Sequence, residues 1–165
     1  MSQFINFLLL DGARIEDKLD EAKNMNEYHA SLYKGKSEEI LAAVAPYLFI
    51  VPPKKKFIKW VENNIWGNSG CVMLSSDLGF ADVYMHLRNF LMVKGPDNKD
   101  LYFRFYDPRV LKKFLPTCTK EQLSEFFGPI NLFAVEDGNK EDAVVFQQLN
   151  AKLQSDNIKA NIIFK

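Results

Sequence analysis

The sequence predicts a single α/β domain in which a mixed β-sheet packs against helices. Its 165 residues are the length of one domain. Short apolar runs alternate with helical patterns from residue 4 to residue 75, which favours βαβ crossovers. A hairpin signal at Gly95-Pro-Asp-Asn98 adds antiparallel pairing. We assign residues 1–137 to the main body of the domain and residues 138–165 to a C-terminal strand or tail segment of the same domain.

Three apolar runs that barely alternate predict strands that are buried on both faces. Asp11-Gly12 ends the first run and Pro52-Pro53 ends the second, because these residues interrupt a strand. A weaker alternation over Tyr28–Tyr33 predicts a short edge strand. The three buried runs are Phe4–Leu10, Tyr47–Val51 and Cys71–Leu74.

Helical spacing of apolar side chains predicts helices around these strands. The first lies over residues 15–22. Ser37 is expected to cap the second, and Pro46 ends it. The third spans Lys54–Ile65, and the fourth lies over residues 80–87, before the hairpin. The inward-facing positions of the third helix are Phe57, Ile58, Val61 and Ile65.

The segment from Leu101 to Gly128 carries the most consistent local signals in the chain. Its first six residues alternate as an aromatic strand that pairs with Phe90–Val93, and Arg104 lies between Tyr102 and Tyr106 on one face. Two short helices are predicted to follow this strand.

Each of these two helices has a chemically specified start and end. Asp107 is expected to cap the first helix, with proline at its first position, and Pro116 ends it. Thr119 and Gln122 form a predicted capping box for the second helix, and Gly128 stops it.

The C-terminal part of the chain predicts two further strands, over residues 130–135 and 144–149, joined by a turn at Asp137-Gly138. From Ala151 onward the chain is polar until a few apolar residues near its end. This segment is either a last helix and strand or a tail that orders on a partner.

The charge balance predicts neither bulk nucleic-acid binding nor membrane insertion. Lys plus Arg and Asp plus Glu both number 21, so no net charge attracts phosphate or anionic lipid. The apolar N-terminal run lacks a basic flank and a cleavage site, and it is too short to span a membrane. We therefore expect a cytoplasmic protein, in which Cys71 and Cys118 are buried free thiols.

The sequence lacks the common catalytic motifs, so we expect no catalytic residue, no cofactor and no metal site. The chain has no phosphate-binding loop and no metal-binding histidine pair. His86 lies in an apolar helical stretch and is interpreted as structural. The Gly67-Asn-Ser-Gly70 segment is interpreted as a turn because it lacks the spacing of a serine nucleophile turn. Glu136 and Asp137 are interpreted as a solvated turn.

Two groups of residues remain as candidate sites. The first is either an internal brace, which we favour, or a recognition surface, since an arginine between tyrosines is typical of interface hot spots. Stacking of Arg104 on both tyrosines and pairing of Asp107 with Arg109 or Arg104 would make the brace. This group comprises Tyr102, Arg104, Tyr106, Asp107, Pro108 and Arg109.

The second group is a basic cluster on the third helix, flanked by two tryptophans. It is either a solvated helix face or a partner-binding surface, and core packing is the alternative for the tryptophans. The candidate partner-binding residues are Lys54, Lys55, Lys59, Trp60 and Trp66, and Lys56 belongs to the same cluster.

The motif of the Leu101–Gly128 segment resembles the signature of the type VI secretion effector-chaperone family, which was long filed as a domain of unknown function. The resemblance covers roughly residues 5–137. It is carried by Arg104-Phe-Tyr-Asp-Pro-Arg-Val-Leu111, Phe114-Leu-Pro116, Gln122-Leu123 and Phe126-Phe-Gly-Pro129, and upstream by Gly35–Leu48, Trp66-Gly67 with Gly70, and Leu87–Val93.

The resemblance implies a cytoplasmic adaptor that holds a secreted effector and promotes its loading onto the valine-glycine repeat spike protein. Such an adaptor needs no catalytic group and no cofactor. Larger members carry a further C-terminal region, whereas about 28 residues follow Asp137 here, so cargo is expected to use another surface or to be smaller. Two alternatives stay open: a small hydrolase or transferase that uses Asp107, Arg109 and Glu136, and an immunity protein that neutralises a toxin.

Overall fold

The computed structural model describes residues 5–165, whose strands form a seven-stranded sheet and a separate hairpin. The strands are β1 (Phe7–Asp11), β2 (His29–Ser31), β3 (Pro46–Ile50), β4 (Cys71–Ser76), β5 (Met92–Lys94), β6 (Asp100–Tyr102), β7 (Ile130–Glu136), β8 (Asp142–Leu149) and β9 (Lys152–Lys159). The helices are α1 (Gly12–Ile15), α2 (Lys18–Met25), α3 (Lys36–Ile40), α4 (Lys55–Asn64), α5 (Phe80–Arg88), α6 (Pro108–Phe114) and α7 (Lys120–Phe127).

The large sheet has the strand order β2-β3-β1-β4-β7-β8-β9. The predicted α/β class, with a sheet packed against helices, is confirmed. Two crossovers are present, from β1 to β2 and from β3 to β4, and each passes over one intervening strand. The strands that a crossover joins run in the same direction but do not touch. All hydrogen-bonded neighbours among the described strands are therefore antiparallel, and the expected βαβ units do not supply parallel pairs.

Each face of the sheet supports its own hydrophobic core. In β1, Leu8 and Leu10 point into the first core, while Phe7 and Leu9 point into the second. Helices α2 and α4 cover the first core, and helices α5, α6 and α7 cover the second. This two-sided cover explains why the apolar run barely alternates. Phe4, the first residue of that predicted strand, lies outside the described residues.

Most predicted helix boundaries in the signature segment are confirmed. The Asp107 side chain accepts a hydrogen bond from the Arg109 backbone at the start of α6, and Thr119 with Gln122 forms the capping box of α7. Gly128 is the C-cap of α7, with a φ of 47°. Local chemistry therefore sets these ends.

The prediction that Ser37 caps a helix running to Pro46 is wrong. Helix α3 begins at Lys36 after Gly35, has no side-chain cap, and ends at Ile40. Pro46 instead begins β3. The intervening loop packs against the start of α1, where a Cβ on Gly12 would lie 2.5 Å from the Ala45 carbonyl oxygen. This tertiary contact, rather than local propensity, sets the path of the loop.

The predicted hairpin is present but its second strand is shorter than expected. Strand β6 ends at Tyr102. The chain then turns, because the Asp107 N–H donates to the Arg104 carbonyl oxygen at 3.0 Å. Phe105 and Tyr106 lie in this turn and are both buried. Neighbouring side chains of a strand point to opposite faces, so the alternation predicted for a strand does not hold for these two residues.

The C-terminal segment belongs to the sheet. Strand β9 pairs with β8 along its whole length and forms one edge of the sheet. A short 3₁₀ turn over Ala160–Ile162 follows, and Phe164 packs edge-on against Trp66 with ring centroids 5.1 Å apart. The sequence predicted here either a last helix and strand or a tail that orders on a partner. The structure has a strand, as in the first of these alternatives.

No helix in the described part of the chain is long and apolar enough to cross a membrane.

Candidate functional site

Asp107 is a junction of local contacts at the start of α6. Its Oδ1 accepts from the Arg109 backbone N–H at 2.9 Å and from Arg109 Nε at 3.1 Å, and its Oδ2 accepts from Arg109 Nη2 at 2.8 Å. Burial by itself would raise the pKa of Asp107, but these hydrogen bonds and the charge of Arg109 lower the pKa below its ordinary value. Arg109 is thus one of the two partners expected for this carboxylate.

Arg104 pairs with a partner that sequence reasoning missed, the carboxylate of Asp11. Asp11 is fully buried at the end of β1, and its Oδ1 also accepts from the Ala13 backbone at the start of α1. Burial raises the pKa of Asp11, although the hydrogen bond and charge of Arg104 offset part of the rise. The Arg104 side chain nevertheless remains 43 % exposed to solvent.

The tyrosines around Arg104 occupy different positions from those expected. Arg104 lies over the Tyr106 ring, 5.8 Å from its centroid. Tyr102, however, packs against Tyr33 at 6.4 Å, so the symmetric stacking of Arg104 between two tyrosines is wrong. Burial, together with the neighbouring Tyr33 hydroxyl, raises the pKa of Tyr106. The reason is the turn after β6, which places Tyr106 in the core while Tyr102 stays on the surface.

These side chains surround a surface recess of about 300 Å³, which we call the signature recess. It brings together Asp11 from the end of β1, three tyrosines, and apolar side chains from the loop before β3. The Tyr102 side chain is 63 % exposed at its rim. The lining residues are Asp11, Ala13, Tyr33, Leu41, Val44, Tyr102, Arg104 and Tyr106.

The basic cluster lies at the start of α4 and borders a second, larger recess. Lys54, Lys55, Lys56 and Lys59 are all exposed, but Lys59 forms an ion pair with Glu62 at 2.7 Å. The second recess, which we call the lysine recess, has a volume of about 590 Å³ and shares no lining residue with the signature recess. It is lined by Asn24, Met25, Asn26, Glu27, Tyr28, Pro52, Lys54, Lys56 and Phe57.

The two tryptophans differ in their access to a partner. The Trp60 side chain is partly buried and donates from Nε1 to Glu21 at 2.8 Å. Trp66 is 1 % exposed, and its Nε1 donates to the Lys140 carbonyl oxygen at 3.1 Å. Trp66 is therefore a core residue whose ring has no exposed face for a partner, which corrects its selection as a candidate for binding.

Glu136 has a structural role that the sequence does not indicate. The side chain is buried, and its carboxylate accepts from the Gly67 backbone at 2.7 Å and the Ser69 backbone at 2.9 Å. The interpretation of Glu136 as part of a solvated turn is wrong, although Asp137 is exposed. Because 69 residues separate Glu136 from Gly67, no local pattern indicates the contact. The carboxylate holds the 67–70 turn against the end of β7.

The remaining polar candidates also have structural partners. His86 Nε2 lies 2.7 Å from the Phe126 carbonyl oxygen, and the ring packs so closely that a Cβ on Gly128 would lie 2.3 Å from it. Cys71 is buried as expected, whereas Cys118 is only partly buried. Among the described residues, no group of three or more His, Cys, Asp or Glu side chains is placed to hold a metal ion.

Most of the chain matches one protein family. A family model described as a domain of unknown function, DUF4123, matches residues 6–125. The match contains the lining residues of both recesses. No curated protein and no solved structure matches the chain. Because the family model covers well over half of the sequence, the chain belongs to the DUF4123 family.

Proposed function

We propose that this protein is a cytoplasmic adaptor that binds a type VI secretion effector and promotes its loading onto the valine-glycine repeat spike protein. The motif resemblance over Arg104–Leu111 supports the choice of secretion system. Both partners in this proposal are proteins, and the adaptor acts by binding them. No side chain of the adaptor needs to react.

The observation that carries the proposal is the signature recess. Arginine and tyrosine are enriched among the residues that dominate the energy of protein interfaces, and here a half-exposed Arg104 lines the same recess as three tyrosines. Leu41 and Val44 add apolar surface beside them. A recess of this composition is suited to a protein segment that brings apolar side chains and hydrogen-bond acceptors.

A second recess supports the adaptor role in particular. An adaptor must hold cargo and carrier together, so it needs two surfaces that do not compete. The signature recess and the lysine recess share no lining residue. One domain can thus offer a separate surface to each partner.

The carboxylates considered for catalysis have structural partners. Both oxygens of Asp107 accept hydrogen bonds from Arg109, and both oxygens of Glu136 accept from the 67–70 turn. These contacts support a structural role for the two groups rather than a role in a hydrolase or transferase reaction.

The test is co-purification with the proteins encoded beside the gene for this chain. The tagged chain should form size-exclusion complexes with a toxin and with a spike protein. Tyr102→Ala should weaken at least one complex, whereas Met85→Ala, which alters an apolar side chain of similar exposure (54 %) on α5, should not. Arg104 is unsuitable for this test, because its removal leaves Asp11 buried without its ion pair. Absence of both complexes would overturn the proposal.

A further inference from the structure

We propose that the lysine recess binds an acidic, amphipathic peptide segment of the effector. This inference rests on the proposed adaptor function and adds the place and chemistry of cargo recognition. The recess volume of about 590 Å³ lies within the range of pockets that hold ligands.

The floor and wall of the lysine recess are apolar. Met25 is partly buried and Phe57 is buried, and both pack in the first core beneath the recess. Pro52 and the Tyr28 ring stand beside them. The Tyr28 side chain is 59 % exposed, a large aromatic surface of the kind that anchors interfaces. Apolar side chains of a peptide would gain burial here.

The backbone around the recess is held in place before any partner arrives. Asn26 is buried, its Nδ2 donates to the Ile50 carbonyl oxygen at 2.8 Å, and its Oδ1 accepts from the Tyr28 N–H at 3.0 Å. These two bonds fix the 26–28 segment while leaving the Tyr28 ring free. A preformed recess loses little conformational entropy on binding.

The charges at the rim select the occupant. Neither Lys54 nor Lys56 has a hydrogen-bond or ion-pair partner among the described residues, in contrast to Lys59, which pairs with Glu62. Glu27 is the single acidic residue lining the recess. Two unpaired cations beside an apolar floor are complementary to carboxylates that flank large apolar side chains.

A peptide fits this surface better than nucleic acid or membrane. Within residues 5–165, Lys54, Lys55 and Lys56 are three cations without an ion-pair or hydrogen-bond partner, and the chain as a whole is neutral. Recognition of anionic lipid uses clusters of about four to eight basic residues, and nucleic acid needs cations along an extended backbone. A concave apolar floor is instead the feature that receives an amphipathic helix or extended segment.

The experiment uses the full chain and two short fluorescein-labelled peptides. One carries glutamates on one helical face and leucines on the other, and the second has lysines in place of the glutamates. Fluorescence anisotropy should show binding of the acidic peptide alone, with an affinity that falls as salt rises.

The charge-reversal variants compare two lysines that line the recess with a neighbouring lysine that does not. Reversal of both recess lysines (Lys54→Glu with Lys56→Glu) should weaken binding of the acidic peptide about tenfold or more. Lys55→Glu changes an exposed lysine that does not line the recess, so it should weaken binding far less. Tyr28→Ala should also weaken binding. Circular dichroism melts check that all variants remain folded.

Each outcome has one meaning for the inference. Selective loss in the Lys54/Lys56 and Tyr28 variants supports it. Failure of the wild type to bind the acidic peptide, or equal binding by all variants, overturns it, as does preferential binding of duplex DNA or phosphatidylserine vesicles at the same lysines. These results are independent of co-purification with the effector and the spike protein, so the adaptor proposal stands or falls separately.

Discussion

At the scale of single residues, two carboxylates form ion pairs with arginines of the signature segment. Asp107 binds Arg109 within the segment itself. Asp11 binds Arg104 across 93 residues of chain and also caps α1. Arg104 therefore braces the segment and also lines the signature recess, because its side chain pairs with Asp11 and still stays 43 % exposed. The ion pair supports the brace expected from the sequence, and the recognition role belongs to the proposed function.

Replacement of Asp107 by alanine is expected to lower the free energy of unfolding by about 1–2 kcal/mol, because it removes the N-cap of α6 and an ion pair to a half-exposed arginine. Asp107→Asn keeps a capping oxygen and should cost less. Thermal melts of both variants measure the difference. A melting temperature that Asp107→Ala leaves unchanged, together with lost partner binding, would make this residue part of an interface instead.

The same carboxylate predicts a pH dependence. The folded-state pKa of Asp107 is lowered relative to an unfolded value of about 3.9. Its stabilising contribution is therefore present above that value and is lost as the pH falls through the folded-state pKa. Urea unfolding below about pH 4 should show a steeper loss of stability for wild type than for Asp107→Asn. Identical slopes would contradict this account.

At the scale of elements, the β8–β9 hairpin contains a turn that the sequence does not favour. Its two turn residues, Asn150 and Ala151, have φ values of 53° and 58°. Left-handed backbone suits the turn of a two-residue hairpin. Asparagine tolerates this conformation, whereas the Cβ of alanine is strained by it.

Replacement of Ala151 by glycine is therefore expected to raise the free energy of unfolding by about 0.5–1 kcal/mol, since relief of strain exceeds the entropy that glycine adds to the unfolded chain. Ala81→Gly is the matched control. Ala81 is exposed in the first turn of α5, so glycine there should lower stability, by no more than the roughly 1 kcal/mol that it costs in a helix interior. Chemical denaturation measures both changes, and a loss of stability in both variants would argue against strain at Ala151.

At the scale of the whole molecule, the C-terminal residues complete the first core. Ile163 and Phe164 join the side chains beneath α2 and α4, and Phe164 contacts Trp66. Deletion of residues 151–165 would remove β9 and this contact together. The deletion therefore tests folding, and point substitutions at exposed residues are the proper test of binding.

Phe164→Ala is expected to lower the free energy of unfolding by about 3 kcal/mol, the usual result of emptying a buried aromatic site. Lys165→Ala, which changes the exposed neighbour, should stay within about 0.5 kcal/mol of wild type. Tryptophan fluorescence during denaturation provides the measurement, because Trp66 reports on this part of the core. Equal stability of the two variants would show that the C-terminal residues are not integral to the core.

The sequence by itself determined the features whose partners lie within a few residues. The cap at Asp107, the capping box of Thr119 with Gln122 and the hairpin before the signature were predicted because each depends on local backbone geometry. The buried strands followed from apolar runs, and the α/β class followed from their alternation with helical patterns.

Only the tertiary structure decided which distant residues meet. The Asp11–Arg104 pair, the Glu136 contacts with the 67–70 turn, the strand order and the burial of Trp66 join parts of the chain that are far apart in sequence. The hydrophobic pattern of a strand indicates that both of its faces are buried, but it does not identify the residues that cover them. Both recesses form where residues that are distant in the sequence come together. The signature residues and the lysines could be identified from the sequence. The other lining residues of each recess come from strands and loops that only the fold brings close.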